Sequence, residues 1–213
     1  MVRAVMIASL VCGVMACGDS EEDAQNKANL IGDWASECTM DHSSNEEGGG
    51  RAVLRLFQES MSYEQEKATF TESTVTWAMI TSMDSSCATE DMVASISGTY
   101  VAGADASSPN DLEGATSIDL TPTAASFTIN NAEMVTAMNA MNPCSSDFEV
   151  GVPKTASECP DMLPEVGRVF KTSFKATETT LQMADMDDDE TGACTDSSGR
   201  GICFEDGLEM TRQ

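Results

Sequence analysis

Eight cysteines, at positions 12, 17, 38, 87, 144, 159, 194 and 203, are the residues of this sequence best equipped for chemistry. A thiol can ligate metal, act as a nucleophile or oxidise to a disulfide, and the spacing sorts these roles. Zinc is disfavoured, because no C-x-x-C occurs and the sequence holds 1 His, His42. Nucleophilic catalysis needs a base held beside the nucleophile, usually His. His42 stands next to Asp41 in the polar, Gly-rich stretch Thr39 to Gly50, and reads as a solvated loop residue. No G-x-S-x-G, P-loop or dinucleotide fingerprint is present. Nothing singles out a glycosidase-like pair among the 36 Asp+Glu. The chain therefore reads as a protein without catalytic residues. The strongest metal candidate is the acidic run Asp185, Asp187, Asp188, Asp189 and Glu190, where Asp185, Asp187 and Asp189 take the odd-numbered positions that open an EF-hand-type calcium loop. Glu190 occupies the place where that loop requires Gly, so a solvated hairpin loop is the preferred reading, and no cofactor is expected.

Composition bounds what can position such residues. The chain has 213 residues and a formal net charge of −25, with 36 Asp+Glu against 11 Lys+Arg. Such a field repels phosphate backbones and anionic head groups, and it excludes nucleic-acid binding. Leu, Ile, Val and Phe together fall below the ~20% under which a highly charged chain is usually disordered. The 15 Met widen the apolar supply and the 8 Cys offer covalent staples, enough for one modest domain.

The N-terminus assigns a compartment. Met1 to Cys17 reads MVRAVMIASLVCGVMAC, with Arg3 before an apolar run from Ala4 to Met15. That run is shorter than the ~20 residues of a permanent membrane span, so residues 1–16 read as a signal peptide. Val14-Met15-Ala16-Cys17 resembles the cleavage box of bacterial lipoproteins, with an aliphatic residue three before, and a small residue directly before, the cysteine that receives the lipid. The resemblance implies a thioether lipid on Cys17 and a bacterial cell-envelope location. Gly18 after the cysteine implies the outer membrane under enteric-type sorting. The alternative is an ordinary secretory signal cut near Ala16 that leaves Cys17 as a thiol. Gly18 to Asn29 is polar, mostly acidic and without hydrophobic period, so residues 17–29 read as a lipid anchor and flexible tether, reaching at most ~40 Å.

Cys12 leaves with the signal and lipid consumes Cys17, so six cysteines remain in an oxidising compartment, an even number that implies disulfides. Cys194 and Cys203 bracket a turn-rich octet, Cys144 and Cys159 bracket a Pro-containing loop, and by elimination Cys38 pairs with Cys87. From Leu30 onward the dominant period is two, as in Val75, Trp77, Met79, Thr81 and Met83 or Met92, Ala94, Ile96, Gly98 and Tyr100. Similar short runs cover Leu30 to Cys38, Ala52 to Gln58, Ser117 to Thr121, Ala125 to Ile129, Arg168 to Ala176, Thr179 to Ala184 and Leu208 to Arg212. Asn131 to Met141 instead spaces Met134, Met138 and Met141 as a helix, with Asn130 or Asn131 as N-cap and Pro143 beyond its end. About eight to ten strands without βα alternation predict an all-β barrel or sandwich over residues 30–213.

Leu30-Ile31-Gly32-Asp33-Trp34 directly after the tether resembles the opening strand of lipocalins and bacterial lipocalin-like domains, and TTLQMAD with GLEMTR resembles their closing hairpin. The resemblance implies an up-and-down antiparallel barrel whose first-strand Trp34 sits at the closed end with Arg212 packed over its ring. Asn131 to Glu165, with its own helix and disulfide, looks like an insertion in that fold. The leading expectation is a monomeric, lipid-anchored barrel that binds a small apolar ligand. A structural or adhesive surface protein with a filled interior is the second, and a hydrolase a distant third.

Overall fold

A computed structural model describes residues 21–40, 62–103, 115–160, 162–184 and 208–213. His42, Cys12, Cys17, Cys194, Cys203, the run Ala52 to Gln58 and the acidic run with Asp185, Asp187 and Asp189 lie outside the described residues.

Among the described residues, ten strands and two helices follow in the order α1 (Glu21–Leu30), β1 (Gly32–Ala35), β2 (Thr39–Met40), β3 (Tyr63–Phe70), β4 (Thr74–Ser82), β5 (Met92–Ala102), β6 (Thr116–Ile129), α2 (Ala132–Met141), β7 (Lys154–Thr155), β8 (Phe170–Ala176), β9 (Thr180–Met183) and β10 (Leu208–Arg212). Every pairing is antiparallel, and β1 pairs with β3 on one side and β10 on the other. The sheet therefore closes into an 8-strand barrel, with β2 added to β3 and β7 to β6. Closure removes the open edges through which a sheet of this length would pair with other chains.

Alternation explains the wall. Phe70 faces Val75 across β3 and β4, Ala68 faces Trp77, Trp77 faces Ile96 across β4 and β5, and Ile118 faces Thr172 across β6 and β8. Of these inward positions Ala68, Phe70, Val75 and Ile118, with Trp34, Phe174, Leu181 and Met210, make the first core, and Trp77 packs against it. The two short runs expected at Ser117 to Thr121 and Ala125 to Ile129 are one strand, β6, which continues through Pro122. The register slips between Ser97 and Gly98, opposite Pro122, so the proline sits at a bulge where a missing N–H costs no ladder bond.

Strand β3 departs from the sequence reading, which places no strand at Tyr63 to Phe70. Its alternation is masked because Glu64 and Glu66 share the inward register of Ala68 and Phe70, so polar residues occupy both faces of one half.

Residues 21–30 are a second departure. They are helix α1, not a flexible tether, although the segment carries no apolar period. The helix is held by docking, since Leu30 is fully buried, Asn26 Nδ2 donates to Thr116 Oγ1 at 3.0 Å, and Ala176 N donates to Asn26 Oδ1 at 3.2 Å. Short helices owe their stability mostly to such tertiary contacts rather than to propensity.

Between β6 and β8 the chain makes the expected insertion. Asn131 caps α2, its Oδ1 accepting from Glu133 N at 3.0 Å and Met134 N at 3.3 Å, and Asn142 ends the helix in the left-handed conformation at φ 51°. Met134 and Met138 then pack on Met92, Phe127 and Ile129 in a second core that also takes in Phe148, Cys144, Cys159 and Leu163. The disulfide Cys144–Cys159 closes this insertion, and Cys38–Cys87 ties the start of β2 to the loop between β4 and β5.

Candidate functional site

An apolar cavity of about 140 Å³ lies in the barrel, between the inward faces of β4, β5, β6 and β8. Trp77, Ile96, Leu120 and Phe170 form its walls, Gly98 and Pro122 meet at the bulge, and Pro164 reaches in from the insertion. The register explains the convergence, because Trp77 lies opposite Ile96 and Leu120 opposite Phe170, one pair on each side of the β5–β6 ladder. Gly98 is required where the two strands close on each other at the bulge: a Cβ at this position would run into the Thr121 carbonyl oxygen.

A polar fringe surrounds the cavity without entering it. The Trp77 indole N–H donates to Glu66 Oε2 at 2.5 Å, which fixes the orientation of the wall-forming ring. Phe70 meets Trp77 and Tyr100 edge-on at 6.5 and 5.5 Å between centroids. The Tyr100 hydroxyl donates to the Thr71 carbonyl, and burial first, then the charge of Glu72, push its pKa up. No titratable side chain lines the cavity itself, so the arrangement can hold an apolar molecule by dispersion and desolvation but supplies no acid, base or nucleophile. By volume it matches the ~150 Å³ apolar sites that admit a benzene-sized molecule, and falls short of the ~300 Å³ at which drug-sized pockets begin.

The closed end of the barrel is built around Trp34 and Arg212. Arg212 lies opposite Trp34 in the β1–β10 register, and its guanidinium carbon sits 4.5 Å from the Trp34 ring centroid. The same guanidinium donates to the carbonyls of Asn29 at 2.6 Å, Ile31 at 2.9 Å and Glu178 at 2.7 Å. Trp34 Nε1 donates to the Leu30 carbonyl at 2.8 Å. The carbonyls left open at the end of α1 are thus met by a cation and an indole, which suits both hydrogen bonding and the negative end of a helix. Gly32 sits at φ +146°, a conformation that strains any residue with a side chain, and a Cβ there would also press on the Arg212 guanidinium, 2.5 Å from Nη1.

The structure thus brings together the sequence-identified Trp34 with Arg212, Cys38 with Cys87, and Cys144 with Cys159. Among the described residues, no three His, Cys, Asp or Glu side chains gather as metal ligands. The cavity residues Leu120, Phe170 and Pro164 escape sequence reading. Leu120 and Phe170 sit at inward parity within recognised runs, so a correct register would reveal them, but no local signal marks Pro164 as part of a barrel wall.

Fold and site together define a closed antiparallel β-barrel with a small apolar interior cavity. No protein-family model matches the chain, and no curated protein matches it.

Proposed function

We propose that this protein is a lipid-anchored cell-envelope binding protein, modified on Cys17, whose barrel takes up a small apolar molecule. The observation that carries the binding reading is the cavity beside Trp77, which has apolar walls and no ionisable lining. A ring or short branched hydrocarbon matches its volume; a long acyl chain does not. The envelope location and the bacterial source rest on the resemblance of Val14 to Cys17 to a lipoprotein cleavage box. On this reading the protein acts as a monomer, facing the periplasm or the cell surface from the outer membrane.

Native mass spectrometry of purified protein, with solvent extraction of the same sample, tests the binding. The expected result is a reproducible bound molecule that is lost in Leu120→Trp, where the added indole fills the cavity. Consistently empty protein that also fails to bind benzene or similar probes overturns it. For the anchor, Cys17→Ala is expected to abolish labelling by a fatty-acid probe, and persistent labelling rules out that attachment site.

The second reading, a surface interaction module without ligand, is favoured by the rest of the interior. Trp34, Phe70, Ile118, Phe174 and Leu181 fill the closed half completely, each at most 1% exposed. Empty protein that Leu120→Trp destabilises, as overpacking a filled interior does, would select it.

A further inference from the structure

The anchor and the fold together set an orientation. Resting on the proposed lipidation of Cys17, we propose that the closed end of the barrel lies against the membrane, with Ile31 and Val101 touching a zwitterionic phospholipid surface and the α2 insertion directed away from it. Three residues, Gly18 to Ser20, separate Cys17 from the start of α1 at Glu21. Four Cα steps span at most ~14 Å, so the lipid lies within that distance of a helix about 15 Å long. That helix is no loose leash. Its far half is fixed to the closed end by Asn26, Asn29 and Leu30, with Asn29 Nδ2 donating to the Ala176 carbonyl at 3.0 Å. Docking of α1 therefore converts a long tether into a short one that leaves this end little freedom to turn from the bilayer.

The surface presented there fits the assignment. Ile31 is 40% and Val101 59% exposed, and both border a concavity of about 390 Å³ with Ala28 and Tyr100, flanked by Lys27 and Glu72. One cation and one anion beside exposed aliphatic side chains complement a zwitterionic head group, whereas a chain of net charge −25 is repelled by an anionic one.

The experiment uses the full lipidated chain in phosphatidylcholine vesicles carrying brominated acyl chains, which quench nearby indoles. Reporters are Val101→Trp and, in case that variant folds poorly, Ile31→Trp, compared with Val150→Trp in the insertion. Stronger quenching at 101 or 31 than at 150, with the difference lost when a long Gly-Ser spacer is placed between Ser20 and Glu21, is the expected result. Equal quenching at both ends, or stronger quenching at 150, overturns the orientation while leaving the anchor intact. Absence of fatty-acid label and of vesicle flotation for the unmutated chain removes the anchor, and the orientation falls with it.

Discussion

Replacing Arg212 with Ala removes four contacts at once: the Trp34 ring at 4.5 Å and the carbonyls of Asn29, Ile31 and Glu178 at 2.6 to 2.9 Å. The cation–ring contact at an exposed guanidinium contributes about 0.5–1 kcal/mol. A charged donor to a carbonyl is worth ~1.5–3 kcal/mol when shielded, and solvent around Arg212 reduces each bond to about 0.5–1 kcal/mol. The expected loss is therefore about 2–4 kcal/mol, which in a domain of this size lowers Tm by roughly 5–12 °C. Urea unfolding followed by tryptophan emission measures it directly, because Trp34 is 1% exposed and reports on the closed end. Arg212→Lys keeps the charge but not the fork, and is expected to lose most of the same amount. A double-mutant cycle adds a test of geometry. Gly32→Ala clashes with Nη1 at 2.5 Å, so part of its cost should vanish once Arg212 is Ala, the remainder being backbone strain at φ +146°. Arg212→Ala within ~0.5 kcal/mol of the parent would refute the reasoning and reduce the residue to an ordinary surface side chain.

Three other outcomes are expected. In the chain-entropy account, replacing Cys38 and Cys87, separated by 49 positions, costs about 4 kcal/mol, and replacing Cys144 and Cys159, separated by 15, about 3 kcal/mol; denaturant titration of the two Ala pairs checks the order, and a reversed order rejects loop closure as the governing effect. Gly98→Ala forces a methyl against the Thr121 carbonyl and is expected to destabilise by about 1–3 kcal/mol and to deform the cavity, visible as loss of probe binding. The side-chain hydrogen bond from Ser86, then the backbone N–H of the same residue, hold the Asp84 carboxyl below its ordinary range. A depressed folded-state pKa means the turn is stabilised above the unfolded carboxylate range near pH ~4 and loses that stabilisation as pH falls through the folded value. Carboxyl NMR titration should place Asp84 higher in Ser86→Ala than in the parent, and an unchanged midpoint would remove the cause given.

Much of the barrel is legible in the sequence because its strands alternate and its special residues sit at telling places. The G-x-W that opens the first strand and the arginine in the last one are spaced nearly the whole barrel apart, yet meet because the sheet closes. The α2 segment is legible from Met spacing and Asn131, whose capping role is local chemistry. Strand β3 and helix α1 are hidden for opposite reasons. In β3, Glu64 and Glu66 take inward positions that a hydrophobic pattern reserves for apolar residues, and only the register with Thr81 and Met79 reveals their side. In α1, the stabilising contacts are Asn26 with Thr116 and Asn29 with Ala176, made across 90 and 147 positions. No window of sequence contains both partners. The cavity is hidden more deeply, since it depends on a glycine and a proline meeting at a register slip and on Pro164 arriving from a connection.

The seam between β1 and β10 governs when the molecule can exist at all. Arg212 reaches Ile31 across 181 positions, so the barrel wall stays open until the strand carrying Arg212 has been delivered. Such distant pairing makes folding late and slow. The same seam makes the final strand a clock, and a chain cut short before it would be left with two bare edges open to its neighbours.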